Sequence, residues 1–223
     1  EVADQINADD TCGEAIIFQC DVSKEDDVKA MFKKTIEKFG TVDILVANSG
    51  LQKDAALHDM TLKDWQLVID VNLTGQFLCA REAIKEFMRR GMREGVSKSL
   101  GKIIHMSSVH QIVPWAGHAN YAASKGAINM LMESICQEYA PLKVRCNSIA
   151  PGFIKTDINK DAWDSENATD KLFKLIPYKR LGVPEDVGST AAWLASDESE
   201  YINGTTLFVD GGMTCYPGFT TNG

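Results

Sequence analysis

The sequence predicts a doubly wound α/β fold, in which helices cover both faces of a parallel sheet. Short apolar runs of strand length alternate along the chain with longer segments that have helical periodicity and capping residues. Strands joined through helices are expected to be parallel, because hairpins join only antiparallel strands. With 223 residues, of which 44% are hydrophobic, the chain suits one such domain and can bury a full core.

The elements follow one another in a regular order. Five apolar runs are predicted to be buried strands: 15–20, 42–47, 102–106, 144–149 and 205–209. A capping box at Ser23–Asp26 predicts a helix that ends at Gly40, and a second box at Thr61 opens a helical region that continues with interruptions to about Arg93. Further helices are predicted at 119–139, near 161–175 and at 184–195, and the polar segment 91–101 is predicted to be a loop.

The composition excludes several classes of function. The net charge of −8 and pI of about 5.0 argue against a nucleic-acid partner. None of the six cysteines forms a CxxC pair or has metal-ligand spacing to a histidine, so no metal site is expected and the thiols are interpreted as reduced. No apolar run of about 18 residues and no signal-peptide pattern occurs, so a cytoplasmic protein without a membrane partner is expected.

A tyrosine and a lysine on the predicted helix at 119–139 form a candidate proton-transfer pair. Tyr121 and Lys125 are four residues apart and share a face of that helix. A lysine cation close to a tyrosine favours the phenolate and makes the pair usable for alcohol–carbonyl interconversion. Ser108 follows the strand at 102–106, where ligands bind in such sheets, and supplies a hydroxyl donor for the substrate oxygen.

The tyrosine–lysine spacing is by itself a weak signal. A second pair, Tyr139 and Lys143, occurs in the chain, but Pro141 lies between them and breaks the helix, so these side chains need not share a face. The functional interpretation of Tyr121 therefore depends on its neighbourhood in the sequence.

Several further motifs accompany this pair along nearly the whole chain. They are Ala47–Gly50, Val71–Gly75, Met106–Ser108, Asn120–Ala127, Pro151–Thr156 and Asp210–Gly212. Their order and spacing resemble those of the short-chain dehydrogenase/reductase family. The resemblance implies a Rossmann-type domain over 1–223 and an enzyme that uses NAD or NADP to interconvert an alcohol and a carbonyl.

The resemblance also implies a role for each catalytic position. Tyr121 matches the acid/base, Ser108 the donor to the substrate oxygen, and Lys125 the residue that favours the phenolate and holds the nicotinamide ribose. Asn72 matches the residue that anchors a water linking the lysine to solvent. Outside the family context, Asn72 would be interpreted as a polar residue that interrupts a helix by bonding backbone.

The expected cofactor contacts come from four parts of the chain. They are Asp21, Val22, Asn48, Ser49, Gly50, Tyr121, Lys125, Pro151, Gly152, Ile154 and Thr156. Asp21 matches the position at the adenine, although an aspartate at a strand end equally caps the following turn. Ala47 and Ser49 depart from the family's pattern of two asparagines and an alanine beside the ribose.

The expected substrate residues are Gln52, Ser108, His110 and Tyr121. Ser107–His110 and Ile112–Trp115 resemble the glucose 1-dehydrogenases within the family, in which the residue matching His110 lies on the sugar. Gln52 stands where that group has an acidic residue on a sugar hydroxyl, and it lacks the charge. Phe153 replaces a small residue and is expected to narrow the pocket, so another aldose, a polyol or a hydroxy compound is also considered.

The sequence contains no Gly-rich phosphate-binding turn. Its start resembles the helix after the family's second strand, so one βαβ unit is expected to be missing and the domain to be N-terminally incomplete. In the usual sheet order, the two missing strands lie between those at 15–20 and 42–47. Without those two strands, either the sheet has a gap, or the strand at 15–20 is expected to pair elsewhere or to detach.

Three functions remain open from the sequence. A sugar or polyol dehydrogenase is favoured by His110 and by the match at Pro114–Trp115, and a 3-oxoacyl-type carbonyl reductase would use the same catalytic residues. A non-catalytic remnant that only oligomerises is the third. The helices at about 75–92 and 119–139 resemble those that form four-helix interfaces in family tetramers, so a homotetramer is expected.

Overall fold

Four parallel strands form one sheet and are hydrogen-bonded in the order in which they follow along the chain. They are β1 Ile44–Ala47, β2 Gly101–Met106, β3 Val144–Pro151 and β4 Thr206–Val209. The computed structural model of the chain describes residues 1–11, 13–156, 163 and 166–215. Because the strands run in parallel, their carboxyl ends lie along one edge of the sheet, where the expected site residues follow β1, β2 and β3.

Helices pack on both faces of the sheet. Their bounds are α1 Val2–Asn7, α2 Glu25–Phe39, α3 Leu62–Ile69, α4 Gly75–Arg90, α5 Ala119–Tyr139, α6 Glu166–Leu175 and α7 Pro184–Ala195. Successive residues of a strand point to opposite faces. Ile103 accordingly lies in a core cluster with residues of α2, α4 and α5, while Ile104 lies in a second cluster with Leu194 of α7. The predicted doubly wound arrangement is confirmed.

The segment 15–20 is not a strand, contrary to the prediction. Ile17 is 76% exposed, and its neighbours Ile16 and Phe18 are also exposed. The backbone N–H and C=O groups of a strand need hydrogen-bond partners on a neighbouring strand. Among the described strands, β1 lies at the edge of the sheet and pairs only with β2. The backbone of Ala15 instead bonds the side-chain amide of Asn7 in both directions, at 2.7 and 3.0 Å. Of the three outcomes expected for this segment, the structure shows its detachment from the sheet.

The helix boundaries follow the predictions closely where proline marks them. Helices α5 and α7 have the predicted bounds, and α7 opens with Pro184 while the Asp186 carboxylate accepts from the Val183 N–H at 2.8 Å. Thr61 caps α3 as predicted. The capping box predicted at Ser23 is absent, because that side chain donates to Asp21 instead. Part of the helix predicted near 161–175 lies outside the described residues.

Three further features of the described residues are the open edge of the sheet, the free cysteines and the character of the helices. β1 leaves an open edge on which Ile44 and Val46 are 41% and 45% exposed. The five described cysteines are free, and Cys12 is outside the described residues. No helix within the described part of the chain has the length and apolar character needed to cross a membrane.

Candidate active site

The three residues expected to transfer a proton meet beyond the carboxyl end of β2. Lys125 Nζ donates to the carbonyl of Met106, the last residue of β2, at 2.8 Å, and lies 5.5 Å from the centroid of the Tyr121 ring. Ser108 is the second residue after β2, and its Oγ accepts from the His110 N–H at 3.2 Å. The His110 ring in turn meets the Tyr121 ring edge-on, with centroids 6.2 Å apart.

The serine hydroxyl has the geometry of a hydrogen-bond donor. Ser108 is buried in an extended conformation before a short 3-10 turn at Val109–Gln111. Its oxygen accepts one hydrogen bond from the backbone of that turn. A hydroxyl that already accepts keeps its own hydrogen for a second partner, so Ser108 can donate to a substrate oxygen.

The lysine is held almost entirely away from solvent. Only 3% of Lys125 is exposed, and burial lowers its pKa to about 8. At neutral pH the ammonium therefore remains the major form. One of its three hydrogens goes to Met106, and two remain for other partners on the side of Tyr121.

Asn72 lies in a π-helical turn, Asp70–Thr74, between α3 and α4. Its side chain bonds the backbone of Leu51 in both directions, accepting from the N–H at 2.8 Å and donating to the carbonyl at 3.0 Å. Its second amide hydrogen goes to Ser124 Oγ at 3.0 Å. The wide turn thus lets one buried asparagine tie the segment after β1 to α5. Both amide hydrogens are used in this way, and a lone pair of the oxygen remains for a water.

The loop after β1, where cofactor contacts are expected, is exposed and lies beside the lysine. Asn48, Ser49 and Gly50 are exposed, and a Cβ on Gly50 would lie 3.6 Å from Lys125 Nζ. The same atom would lie 3.4 Å from Asn72 Oδ1. The missing side chain therefore leaves open space in front of the lysine, and the exposed polar residues beside it are suited to a ribose.

The expected adenine position has a structural role of its own. Asp21 accepts hydrogen bonds from the Ser23 hydroxyl and N–H, at 2.7 and 3.0 Å, and these lower the pKa of its carboxyl. Asp21 therefore caps the following turn, which is the role that the sequence offered as the alternative to an adenine contact. Val22 packs so closely on the first residue of α4 that a Cβ on Gly75 would lie 2.8 Å from its Cγ2.

The last group of expected cofactor residues begins with Pro151 at the end of β3, which neighbours β2 in the sheet. The Gly152 N–H donates to the Val209 carbonyl, and a Cβ on Gly152 would lie 2.8 Å from the Asp210 Cα. Ile154 forms a bridge to Gly182. Pro151 and Gly152 thus lie at the carboxyl end of β3, the sheet edge that Ser108 also follows, and Ile154 and Thr156 come next along the chain.

An aromatic stack borders Tyr121. Trp115 lies between two imidazoles, with His110 stacked at 4.4 Å and His118 at 3.4 Å between ring centroids. His110 Nδ1 bonds the Val113 carbonyl at 2.9 Å, and burial lowers the pKa of this imidazole. Because a carbonyl only accepts, Nδ1 carries the hydrogen, and Nε2 of the neutral ring is an acceptor.

Gln52 is exposed on a segment that the site helices hold on both sides. Its neighbour Leu51 is bonded to Asn72, and the Lys53 carbonyl accepts from Asn120 Nδ2 at 2.9 Å. Asn120 directly precedes Tyr121 on α5. The backbone around Gln52 is therefore fixed relative to the tyrosine, while its side chain is open to solvent.

Phe153, which the sequence suggests would narrow the substrate pocket, faces a cleft next to β4. This cleft of about 490 Å³ is also lined by Ile176, Tyr178 and Phe208. The lining of this cleft includes none of Ser108, Tyr121 and Lys125. We therefore assign the chemistry to the surface at the carboxyl end of β2, where Lys125 is anchored and which Ser108 follows.

Two buried residues beside the lysine were not expected from the sequence. Gln76 Nε2 donates to the Met106 carbonyl at 3.1 Å, and its Oε1 lies 2.7 Å from His105 Nδ1. The spacing in the sequence could have pointed to Gln76, because it is four residues, or about one helical turn, after Asn72. Nothing in the sequence pattern pairs it with His105, which lies on a strand.

Comparisons with known proteins identify the family of the chain. A family model of the short-chain dehydrogenases, described as enoyl-(acyl carrier protein) reductase, matches residues 2–214. 3β-Hydroxysteroid dehydrogenase 1 of Eggerthella lenta is 47% identical over 207 residues, which are 93% of this chain and 77% of that protein. Glucose 1-dehydrogenase 2 of Bacillus subtilis is 44% identical over 206 residues, covering 92% and 77%.

A solved structure shares both the fold and much of the sequence. The gluconate 5-dehydrogenase from Burkholderia cenocepacia, in complex with NADP and tartrate, superposes with a TM-score of 0.84 at 32% identity. The match covers 96% of this chain and 80% of that one. Together with the family match, this similarity shows that the chain belongs to the short-chain dehydrogenase/reductase family, whose members are oxidoreductases acting on CH–OH groups.

Proposed function

We propose that this chain, as a single domain, interconverts an alcohol and a carbonyl of a sugar or polyol with NAD or NADP. The observation that carries the proposal is the meeting of Ser108, Tyr121 and Lys125 beyond β2. A buried ammonium lies 5.5 Å from the centroid of the tyrosine ring. The Ser108 hydroxyl accepts from the N–H of His110, whose ring meets the tyrosine ring edge-on. Together these groups supply a proton acceptor, a cation beside it and a hydrogen-bond donor for the substrate oxygen.

Each residue has one task in the oxidation of an alcohol. Ser108 donates a hydrogen bond to the substrate oxygen and orients it. Tyr121, with the Lys125 cation beside its ring, accepts the hydroxyl proton. The remaining lysine hydrogens are available to ribose hydroxyls at the space beside Gly50. The nicotinamide, when bound, takes up the hydride, and in the reverse direction Tyr121 returns the proton.

A polyhydroxy substrate is supported by the polar groups at the rim. His110 Nε2 can accept from a hydroxyl, since Nδ1 is used by Val113. Gln52 can both donate and accept from its exposed position. A hydroxysteroid is the second candidate. It is favoured by the 47% identical relative of that name and by Trp115, which is 41% exposed next to His110.

The test follows absorbance in the NAD(P)H band with matched tyrosine variants. The substrates are a panel of aldoses and polyols, a 3β-hydroxysteroid and a 3-oxoacyl thioester. Tyr121→Phe is expected to lower kcat by about 10²–10⁴-fold, the usual contribution of an acid/base group. Tyr139→Phe, in the second tyrosine–lysine pair, is expected to leave activity unchanged.

The outcomes separate the candidate functions. Turnover of an aldose or polyol supports the proposal. Turnover of only the steroid or only the thioester would mean that the proposed sugar or polyol is not the substrate. Full activity in Tyr121→Phe contradicts the proposed site. Should calorimetry detect no NAD(P) binding to a folded oligomer, the non-catalytic alternative is supported.

We also propose a cytoplasmic homotetramer. Apolar side chains on two helices support association, because Phe77 and Met88 of α4 and Met130 of α5 are 42%, 55% and 59% exposed. The free thiols of the described cysteines support a reducing compartment.

A further inference from the structure

The carbonyl of Met106 is shared by two buried donors. Lys125 Nζ donates to it at 2.8 Å and Gln76 Nε2 at 3.1 Å. A carbonyl oxygen has two lone pairs, so both of its acceptor sites are used. Gln76 comes from α4 and Lys125 from α5, and the carbonyl at the end of β2 therefore joins both helices to the sheet.

The hydrogen-bond pattern determines the orientation of the glutamine and the tautomer of its partner. Gln76 is 2% exposed, and its NH₂ group must face the Met106 carbonyl, because an amide oxygen cannot donate. Its Oε1 then faces His105 Nδ1 at 2.7 Å. Since Oε1 only accepts, Nδ1 carries the hydrogen of the neutral imidazole and Nε2 has the lone pair.

Burial and charge keep this imidazole neutral. His105 is fully buried, and burial together with the Lys125 cation lowers its pKa to about 4. Its Nε2 has no partner among the described residues, and neither has Ser148 Oγ. The two residues are paired across β2 and β3 and so share a face of the sheet. The serine hydroxyl is a donor of the kind that the Nε2 lone pair needs.

We propose that Gln76 and His105 are positioning residues for Lys125. The imidazole orients the carboxamide, and the carboxamide holds the Met106 carbonyl at the point where the ammonium is anchored. With this anchor fixed, the other two hydrogens of the ammonium are directed to the tyrosine and ribose side. The inference rests on the proposed role of Lys125, and it adds two residues that touch neither substrate nor cofactor.

The first test is the tautomer of His105, measured by ¹⁵N NMR of the full chain with labelled histidine. Loss of one signal set in His105→Asn assigns the resonances. We expect the Nδ1–H tautomer at pH 7, without protonation down to about pH 5.5. Gln76→Leu removes the acceptor and is expected to populate the Nε2–H form. Gln66→Leu, the same change at an exposed glutamine of α3, is expected to leave the spectrum unchanged.

The second test separates positioning from general structural damage. Gln76→Leu and His105→Leu are expected to lower kcat about three- to tenfold, the equivalent of one hydrogen bond, with KM unchanged. His105→Asn should restore most of kcat, because asparagine Nδ2 is as many bonds from the backbone as histidine Nδ1. Denaturant unfolding of each variant verifies that it is folded under assay conditions.

Two results would overturn the inference while the proposed function stands. One is an Nε2–H tautomer in the unmodified chain. The other is a wild-type kcat in folded Gln76→Leu when Lys125→Met is inactive. Full activity in Lys125→Met would instead remove the proposed site, and the positioning role with it.

Discussion

At the residue scale, burial determines the charge of two basic groups around one carbonyl. Lys125 and His105 are both almost fully buried, and their pKa values are lowered to about 8 and about 4. Between these values the lysine is the cation and the histidine is neutral. Of these two groups, only the lysine therefore carries a positive charge beside the Tyr121 ring.

The neutral histidine should make the fold sensitive to acid. The folded-state pKa of His105 is below its ordinary value of 6.5, so the unfolded state binds more protons between pH 4 and 6.5. Stability contributed by the neutral form is therefore lost as pH falls through that window. From pH 7 to pH 5 we expect the free energy of unfolding to fall by about 2 kcal/mol, measured by urea unfolding.

A histidine variant isolates this effect from other titrating groups. In His105→Asn the difference between pH 7 and pH 5 should shrink by about the same 2 kcal/mol, because no imidazole is left to protonate at that site. Half-buried His110 also has a lowered pKa, because of its partial burial, and supplies a residual dependence. An unchanged difference in the variant would show that the acid sensitivity comes from elsewhere.

At the element scale, close packing of α4 on β2 requires a residue without a side chain. Gly101 opens β2, and a Cβ there would lie 2.2 Å from the Phe87 ring, which is fully buried. Gly101→Ala is expected to destabilise the chain by about 1–3 kcal/mol, because neither the strand nor the ring can move freely. Urea unfolding at pH 7 measures the loss.

A second glycine provides the matched control for this substitution. Gly188 lies within α7, and a Cβ there would meet nothing within 4 Å. Gly188→Ala is therefore expected to stabilise the chain by about 0.5–1 kcal/mol, since alanine favours the helix. Equal effects of the two variants would contradict the packing argument at Gly101.

The same scale shows what the sequence could predict. Helices α5 and α7 were predicted to the residue, because Pro141 and Pro184 mark their limits locally. The segment 15–20 has the apolar pattern of a strand but is exposed, since strand formation depends on a partner that the pattern does not report.

The site shows the same division between local and long-range features. Ser108, Tyr121 and Lys125 belong to local motifs, and in the structure Lys125 bonds the last residue of β2 while Tyr121 precedes this lysine by one turn of α5. The bonds of Asn72 to Leu51 and of Gln76 to His105 join residues more than 20 positions apart. Such contacts exist only after the sheet and α4 have packed, so periodicity and capping could not predict them.

At the scale of the whole molecule, two helices expose apolar side chains that a monomer would leave in water. Phe77 and Met88 are eleven residues apart on α4, three helical turns, and so lie on one face. Met130 adds an exposed apolar side chain on α5. The chain carries a net charge of −8, so association needs apolar contacts strong enough to exceed the repulsion between copies.

The proposed tetramer can be tested on this face. Four chains of 24.5 kDa should give about 98 kDa by light scattering. The double variant Met88→Glu/Met130→Glu is expected to give a smaller species, because buried carboxylates without partners disfavour the interface. Leu62→Glu, at a 79% exposed leucine of α3, should leave the mass unchanged. If the unmodified chain is a monomer, or if the double variant is still a tetramer, these exposed residues do not form the proposed interface.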